Sequence, residues 1–501
     1  MPQLIAHKKI SPPRGKGLIL ICTLLTLWCA LYISGVSHYP GLVLSYSVFS
    51  FAFLCLLISG LIYRISYGYT FVTGMLFLGF WVKVTVHLWL NYGFRESTGA
   101  FDYSASSWDE TLDIASYAAL CITGTRVLLS IIGLRSVKPL ENIQDKPLKI
   151  LSWYRNHRIQ LWISLLLFCV GITALNTALG IIQFGLVPRT ILCWPLNAVI
   201  SYIIGHGLSI VTAIFLWWDI LIKKDIKYSV YFIIVIAFIS TISVLSRGAY
   251  IFQTLPQFFA AFSNRKIINF SVKSIPLIAI TFLMLLFLSN FTVNFLRNNY
   301  YSTAEFSHVP IPERSINSAS STCFGKVING VASLLVDRWI GIEGLMVLQA
   351  HSEKSHVLFI RGLQEHRKIG NETLYSSISK PKYYMVADKT KFQFSEIPGA
   401  IAFCFFSGKF WVVALGMLLL TGLIVISETI VMKLTGNPIL CGLWGCLTAN
   451  YFAQMGIAPK DALFPIIVTA LAISLISLIQ SDNFFKLISF FQNIPKKRSM
   501  R

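Results

Sequence analysis

The chain has 501 residues, of which 55% are apolar and only 13% are charged, and its formal net charge is +21. A soluble protein of this size has about 25% charged residues, so the composition excludes a soluble enzyme, a disordered chain and a coiled coil. Its apolar stretches run to about 20 residues, which predicts membrane-spanning helices rather than the alternating strands of a barrel. We therefore predict an all-α polytopic membrane protein.

Twelve apolar segments are predicted to span the membrane. The first, from Gly17 to about Ser37, follows several basic residues and is too long for a signal peptide, so it predicts an anchor. The weakest is 249–263, which is short and contains Pro256. The other ten predicted spans are 41–63, 69–91, 111–134, 159–181, 196–222, 228–246, 274–293, 409–427, 438–456 and 462–480.

The basic residues between these spans predict the topology. If the N-terminus is cytoplasmic, an even number of spans places four further segments on the cytoplasmic side, and all four are basic: 135–158, 223–227, 264–273 and 481–501. The positive-inside rule requires this pattern. We therefore predict a multi-pass membrane protein with both termini cytoplasmic, which in a bacterium would be a protein of the inner membrane. The same rule accounts for the net charge, and we expect no nucleic-acid partner.

The chain divides into three regions on this topology. Residues 1–293 carry predicted spans 1–9, and 409–501 carry spans 10–12 and a basic cytoplasmic tail. Between them, residues 294–408 form one large hydrophilic region on the periplasmic face, which we call the external segment. It mixes apolar and polar side chains, so we predict that it is folded. Its apolar end, Ile397 to Phe406, predicts an interfacial helix.

Two short motifs could carry chemistry. In Ser246-Arg247-Gly248, at the external membrane edge, Arg247 could bind a phosphate bidentately. The alternative is an interfacial arginine that extends to lipid head groups. In the second motif, residues 337–344, a carboxylate could accept a hydroxyl proton, an arginine could neutralise a phosphate and Trp339 could stack on a sugar. The alternative is a salt-bridged helix in a loop, and the two glycines of this motif could instead shape a turn.

Further polar residues are weaker candidates. Lys83 and His87 lie four apart, on one helical face in the outer half of the third span, and Asp113 is a plausible partner for Lys83. The external histidines and ten scattered cysteines lack metal-ligand spacing, so we expect no metal and no cofactor. The remaining candidates are Arg126 within the fourth span, Arg314, which ten residues separate from Gly325, and the external histidines His351, His356 and His366.

The pattern resembles the O-antigen polymerases, also called oligosaccharide repeat-unit polymerases, whose architecture the O-antigen ligases share. Four features carry the resemblance. They are the twelve spans with one large external loop, the SRG at 246–248, DRWIGIEG at 337–344 and PGAIAFCFFSGKFWVVALG at 398–416. The pair Arg314 and Gly325 also matches a spacing found in periplasmic loops of these polymerases.

The resemblance implies a GT-C-like fold and a metal-independent inverting glycosyltransferase. Donor and acceptor would both be oligosaccharides linked to undecaprenyl diphosphate, with membrane lipids, a chain-length regulator and a flippase as further partners. Arg247, Arg338 and Arg314 are the expected diphosphate ligands. Glu343 is the first candidate for the base that takes the acceptor proton, followed by Asp337 and the external histidines.

Two other functions stay open. An O-antigen ligase would pass the same donor to lipid A–core, and its acceptor site would place an external histidine beside arginines. A non-enzymatic flippase for lipid-linked oligosaccharides would line a central cavity with charges across many spans and would carry little extramembrane mass.

Overall fold

The computed structural model describes the following residues: 14–94, 96–134, 149–264, 275–302, 336–337, 339–366, 371–381, 390–393, 397–455 and 459–479. Across these ranges the chain is mostly helical, as predicted for an all-α membrane protein. Arg314, Arg338 and the basic tail 481–501 lie outside the described residues, as does most of the basic segments after the fourth and eighth predicted spans.

Sixteen helices and two short strands are formed by the described residues. In chain order they are α1 (Arg14–Val36), α2 (Val43–Ile62), α3 (Tyr67–Leu90), α4 (Ala105–Ile131), α5 (Lys149–Leu179), β1 (Gly185–Leu186), α6 (Leu196–Leu221), α7 (Lys227–Ser243), α8 (Ala249–Ser263), α9 (Ile275–Ser302), α10 (Ile342–Ala350), α11 (His356–Gln364), α12 (Leu374–Ser379), β2 (Phe392–Gln393), α13 (Ala400–Phe405), α14 (Phe410–Thr435), α15 (Pro438–Gln454) and α16 (Pro459–Ile479). Each of the twelve predicted spans coincides with one helix, and α10 to α13 belong to the external segment.

Eight of these helices are long and apolar enough to cross a membrane, judged over the described residues. They are α2, α3, α4, α5, α6, α9, α14 and α16. Helices α7, α8 and α15 are shorter, and only Leu25–Val36 of α1 enter this count over the described residues. A helix of 17 residues, such as α7, rises about 25 Å, which is less than the hydrocarbon core of about 30 Å.

Helix ends at the side opposite the external segment are fixed by specific contacts. Gly436 ends α14 in a left-handed conformation, and the Asn437 side chain accepts hydrogen bonds from the first turn of α15. The buried Glu428 of α14 accepts hydrogen bonds from the backbone N–H groups of Tyr67 and Gly68, at 2.6 and 2.8 Å. A carboxylate at the start of a helix is favoured by the helix dipole. Glu428 therefore joins α14 to the start of α3.

The external segment packs into the helical core. The sequence predicted that this segment is folded, but it did not predict where the segment packs. The apolar side chains of α10 are fully buried among residues of α2, α3 and α4. Helix α13 is also buried, so the predicted interfacial helix at Ile397 to Phe406 is wrong: α13 is apolar on all sides and packs inside the protein. A Cβ on Gly344 would lie 2.0 Å from the Pro398 carbonyl oxygen, so a glycine is needed where α10 meets this region.

A two-stranded antiparallel sheet joins the external segment to the loop between α5 and α6. Strand β1 pairs with β2, with Gly185 opposite Gln393 and Leu186 opposite Phe392. Helix α9 continues to Ser302, nine residues beyond the predicted end of its span at 293. The loop after α5, the end of α9 and the external segment therefore lie at the same end of the bundle.

Candidate functional site

A π-helical turn in α3 lies directly beneath the second motif. Residues Phe77–Val82 form this turn, which ends just before Lys83. A Cβ on Gly79 would lie 2.2 Å from the Ile340 carbonyl oxygen, and a Cβ on Gly341 would lie 1.9 Å from the Gly79 carbonyl oxygen. The two backbones are therefore in direct contact, which requires glycine at both positions. Single π turns inside helices are frequent at functional sites.

Lys83 pairs with Glu343 in the protein interior. Its Nζ lies 2.6 Å from Glu343 Oε1 and donates a hydrogen bond of 2.6 Å to the Trp339 carbonyl oxygen. The two side chains are 1% and 4% exposed. Glu343 Oε1 makes no aligned hydrogen bond within the described residues, so its contact with Lys83 is an ion pair. The prediction that Asp113 pairs with Lys83 is wrong, because Asp113 is exposed on α4.

His87 and Asp337 form a second buried pair, one helical turn along α3. His87 Nε2 lies 2.8 Å from Asp337 Oδ1, and Nδ1 lies 2.9 Å from the Tyr92 carbonyl oxygen. Both partners of the imidazole are acceptors, so both bonds form together when His87 carries two protons. The rings of Tyr92 and Phe94 cover the imidazole, with centroid distances of 4.0 and 4.1 Å. His87 and Asp337 thus form a hydrogen-bonded pair that is shielded from water.

The second motif is a turn followed by a helix, rather than a helix throughout. Helix α10 begins at Ile342, and Trp339 to Gly341 form the connection from Asp337. Asp337 and Glu343 therefore both reach the same face of α3, where Lys83 and His87 lie four residues apart as their spacing predicted. The structure brings together the two predicted catalytic carboxylates, and it covers both of them.

Arg247 lies in a tight turn between α7 and α8. Leu245, which precedes the turn, has a φ of +55°, and the Ser246 N–H donates to the Thr241 carbonyl oxygen at 3.2 Å. The left-handed conformation costs a non-glycine residue about 1–2 kcal/mol. Arg247 is partly exposed, and its Nη1 donates to Asn294 Oδ1 of α9 at 2.9 Å. A strained turn thus presents this guanidinium at the end of the bundle that carries the external segment.

One small apolar cluster connects the two motifs. Phe252, one turn into α8 after Gly248, and Trp339 both pack against one cluster of buried residues, which consists of Met75, Cys446 and Ala453. The turn that carries Arg247 and the segment that carries the two carboxylates are therefore neighbours in the fold. Trp339 is partly buried in this cluster and is not a free platform for a sugar.

The external histidines lie apart from this site. Burial lowers the pKa of His351, which follows α10, while Glu353 opposes this shift and Lys354 adds to it. His351 is therefore neutral near pH 7, which is the form that accepts a proton. His366 lies 2.6 Å from Asp461 at the start of α16, in a largely exposed pair.

Arg126, the other charged candidate within a span, packs against an aromatic ring. The guanidinium of Arg126 lies 4.0 Å from the centroid of the Tyr63 ring, at the opposite end of the bundle. Among the described residues, no group of three or more His, Cys, Asp or Glu side chains is arranged to hold a metal ion.

Two arginines that the sequence analysis did not single out lie near Arg247. Arg189 follows β1, and Arg297 lies near the end of α9. Arg189 donates a hydrogen bond to the Thr177 carbonyl oxygen in the last turn of α5, and Arg297 donates one to the Phe184 carbonyl oxygen in the loop between α5 and α6. The sequence feature that could have identified these two arginines is their position just beyond an apolar run, where an arginine usually extends to the membrane surface.

No protein-family model, curated protein or solved structure matches this chain. Function is therefore inferred from the contacts of the named side chains, since a fold alone does not imply an activity.

The contact between Gly79 and Gly341 is expected to be essential for seating the external segment. Gly341→Ala would force the two backbones apart, so we expect a loss of stability of about 1–3 kcal/mol. Gly74→Ala is the matched control, because a Cβ there has no neighbour within 4 Å and alanine favours the same helix. Thermal unfolding of the detergent-purified variants measures the difference. Equal midpoints for the two variants would contradict the close packing.

Proposed function

We propose that this protein polymerises oligosaccharide repeat units carried on undecaprenyl diphosphate, at the periplasmic face of a bacterial inner membrane. The product would be an O-antigen or capsule-type polysaccharide. The observation that carries the proposal is the shared cluster beneath Trp339 and Phe252, because it makes the carboxylate segment and the Arg247 turn neighbours at one end of the bundle. A transferase for such a donor needs a cation for the diphosphate and a base for the acceptor hydroxyl in one region.

In the proposed reaction the acceptor hydroxyl attacks C1 of the donor sugar, and the bond from C1 to the diphosphate oxygen breaks. The base takes the hydroxyl proton, and the lipid diphosphate leaves as the anion. A single displacement inverts the anomeric carbon. No cofactor enters this scheme.

The residues have distinct proposed roles. Arg247 holds the diphosphate and stabilises its growing charge, with Arg338 and Arg314 as additional ligands. Glu343 is the proposed base, and Lys83 positions its carboxylate from α3. Asp337 is hydrogen-bonded to the covered His87 ring, through which it would position the segment, and it remains the second candidate for the base.

The buried charges at the opposite end of the bundle favour an enzyme over a flippase. Asp219 accepts hydrogen bonds from Tyr154 and Trp162 and pairs with Arg158 at 2.5 Å, which joins α5 to α6. Glu428 is held by the backbone of α3. These carboxylates are committed to helix packing, whereas a flippase needs charges that line a path across the membrane.

The membrane arrangement that accompanies this proposal is a GT-C-like bundle of twelve spans with both termini in the cytoplasm. It counts α1 as a crossing, and it counts the shorter helices α7, α8 and α15 as crossings that tilt little and thin the bilayer locally. It leaves α10 to α13 on the periplasmic side, where α10 and α13 pack into the outer end of the helical core.

Purified protein is expected to convert an undecaprenyl-diphosphate-linked repeat unit into a ladder of longer glycans, resolved on a gel after release from the lipid. The matched control is the Arg247→Ala protein in the same detergent. Extension that occurs only when lipid A–core is supplied would show a ligase instead. Movement of the intact lipid across a liposome membrane without any new glycosidic bond would show a flippase.

A further inference from the structure

Three arginines from three elements gather around the loop that connects α5 to α6. Arg189 in this loop donates from Nη2 to the Thr177 carbonyl oxygen at 2.7 Å, and its backbone N–H bonds to Gly180 at 3.0 Å. Arg297 of α9 donates from Nη2 to the Phe184 carbonyl oxygen at 3.0 Å. The Phe184 N–H in turn donates to the Val244 carbonyl oxygen at 2.9 Å, three residues before Arg247.

This corner faces outwards from the bundle. Trp194 and Ile191 in the same loop are 86% and 70% exposed, and Phe295 on α9 is 56% exposed. Only 6% of the apolar stretch of α9 is buried inside the protein. Large apolar side chains at the end of a spanning helix contact acyl chains, and tryptophan is enriched at the level of the head groups. The corner therefore lies on the lipid-facing side, rather than in the interior site beneath Trp339.

The charge of the corner is positive. The three stretches 176–196, 241–249 and 289–302 contain Arg189, Arg247 and Arg297 and no Asp or Glu. The Arg189 side chain is exposed. A guanidinium presents a planar fork of N–H groups that matches a phosphate, and it is more weakly hydrated than an ammonium.

The loop is held in place by the external segment. The Val187 N–H donates to the Lys391 carbonyl oxygen at 2.9 Å, next to the pairing of β1 with β2. Arg189 follows two residues later, so its position is determined by backbone contacts on both sides. Because backbone hydrogen bonds hold the loop in place, the position of Arg189 is fixed. A single flexible arginine that extends to the lipid head groups would lack this support.

We propose that this corner binds an anionic phospholipid of the outer leaflet. Its phosphate lies against Arg189 and Arg297, and its acyl chains lie along Trp194 and the exposed face of α9. This inference goes beyond the proposed polymerase activity and does not depend on it, because the ligand is a lipid of the membrane itself. Such a lipid would brace the loop against α9 beside the Arg247 turn.

The test measures lipid retention by the full-length protein. Protein in detergent is titrated with phosphatidylglycerol or phosphatidylcholine, and bound lipid is counted by native mass spectrometry. The wild-type protein is expected to retain phosphatidylglycerol preferentially. Arg189→Gln/Arg297→Gln should weaken that retention at least about tenfold, because hydrogen bonds to a charged group are lost. Arg361→Gln, an exposed arginine of α11, should leave it unchanged.

A second variant covers the case in which the double substitution unfolds the protein. Trp194→Ala changes an exposed side chain and keeps all three arginines, and it should also reduce retention. Equal binding of the two lipids by the wild-type protein, or unchanged retention in Arg189→Gln/Arg297→Gln, would overturn the proposal. Displacement of phosphatidylglycerol by inorganic phosphate would instead indicate a small-anion site, and displacement by a polyprenyl diphosphate alone would assign the corner to the substrate. Both outcomes would contradict a phospholipid site.

Discussion

Glu343→Gln is expected to abolish chain extension, and the loss is expected to persist when Lys83 is replaced by Met in the same chain. The single variant Glu343→Gln combines a loss of catalysis with a loss of stability. Loss of the base lowers the rate by about 10²–10⁴-fold. The substitution also leaves the Lys83 ammonium buried without its carboxylate, and breaking a buried ion pair costs about 3–5 kcal/mol.

The double variant Lys83→Met/Glu343→Gln separates these effects. It removes both charges, and replacing a buried ion pair by neutral groups is often nearly neutral for stability. We expect its thermal unfolding midpoint to recover towards the wild-type value while polymer formation stays absent. The measurements are thermal unfolding in detergent and the gel assay for polymer. Recovery of both stability and polymer in the double variant would reduce Glu343 to a structural partner of Lys83.

Asp461→Asn is the matched control for removing a carboxylate from an ion pair at the same end of the bundle. Its partner His366 is 63% exposed at the side chain, in contrast to Lys83. Exposed pairs contribute about 0–1 kcal/mol. This variant is therefore expected to keep both its unfolding midpoint and its activity, and a loss comparable to that of Glu343→Gln would show that the assay reports general damage.

Arg247→Lys is expected to fail nearly as badly as Arg247→Ala. Two phosphates need several donors in a fixed plane, and arginine supplies five N–H groups where lysine supplies a compact point charge. Loss of one donor that stabilises charge in the transition state costs about 10²–10³-fold in rate. The measurement is the initial rate of polymer formation by purified protein at saturating lipid-linked repeat unit.

Two comparisons distinguish diphosphate binding by Arg247 from other roles of this side chain. Asn294→Ala removes the acceptor that orients Arg247 and keeps the charge, so a smaller loss is expected there. An arginine that only extends to the lipid head groups would behave differently, because lysine does this equally well. Full activity in Arg247→Lys would remove the diphosphate role from Arg247 and favour the interfacial anchor.

The amino-acid sequence by itself determined where the helices lie. Apolar runs such as those of α2 and α14 must satisfy every backbone group within the segment when they are in lipid, and this requirement is local to each run. The spacing of Lys83 and His87 also determined that both face the same side of α3, because residues four apart are neighbours on a helix.

The tertiary structure alone decided which groups those two residues meet. The sequence predicted Asp113 as the partner of Lys83, but the observed partners of Lys83 and His87 lie about 250 positions later in the chain. The sign of a charge does not specify its partner across such a separation. The π turn at Phe77–Val82 and the depth of α13 were not visible in the apolar pattern either. Nor was the packing of Gly341 against Gly79, in which the absence of two side chains lets two backbones touch. Such contacts depend on the three-dimensional shapes of the packed segments. The hydropathy of the sequence shows only how apolar each segment is.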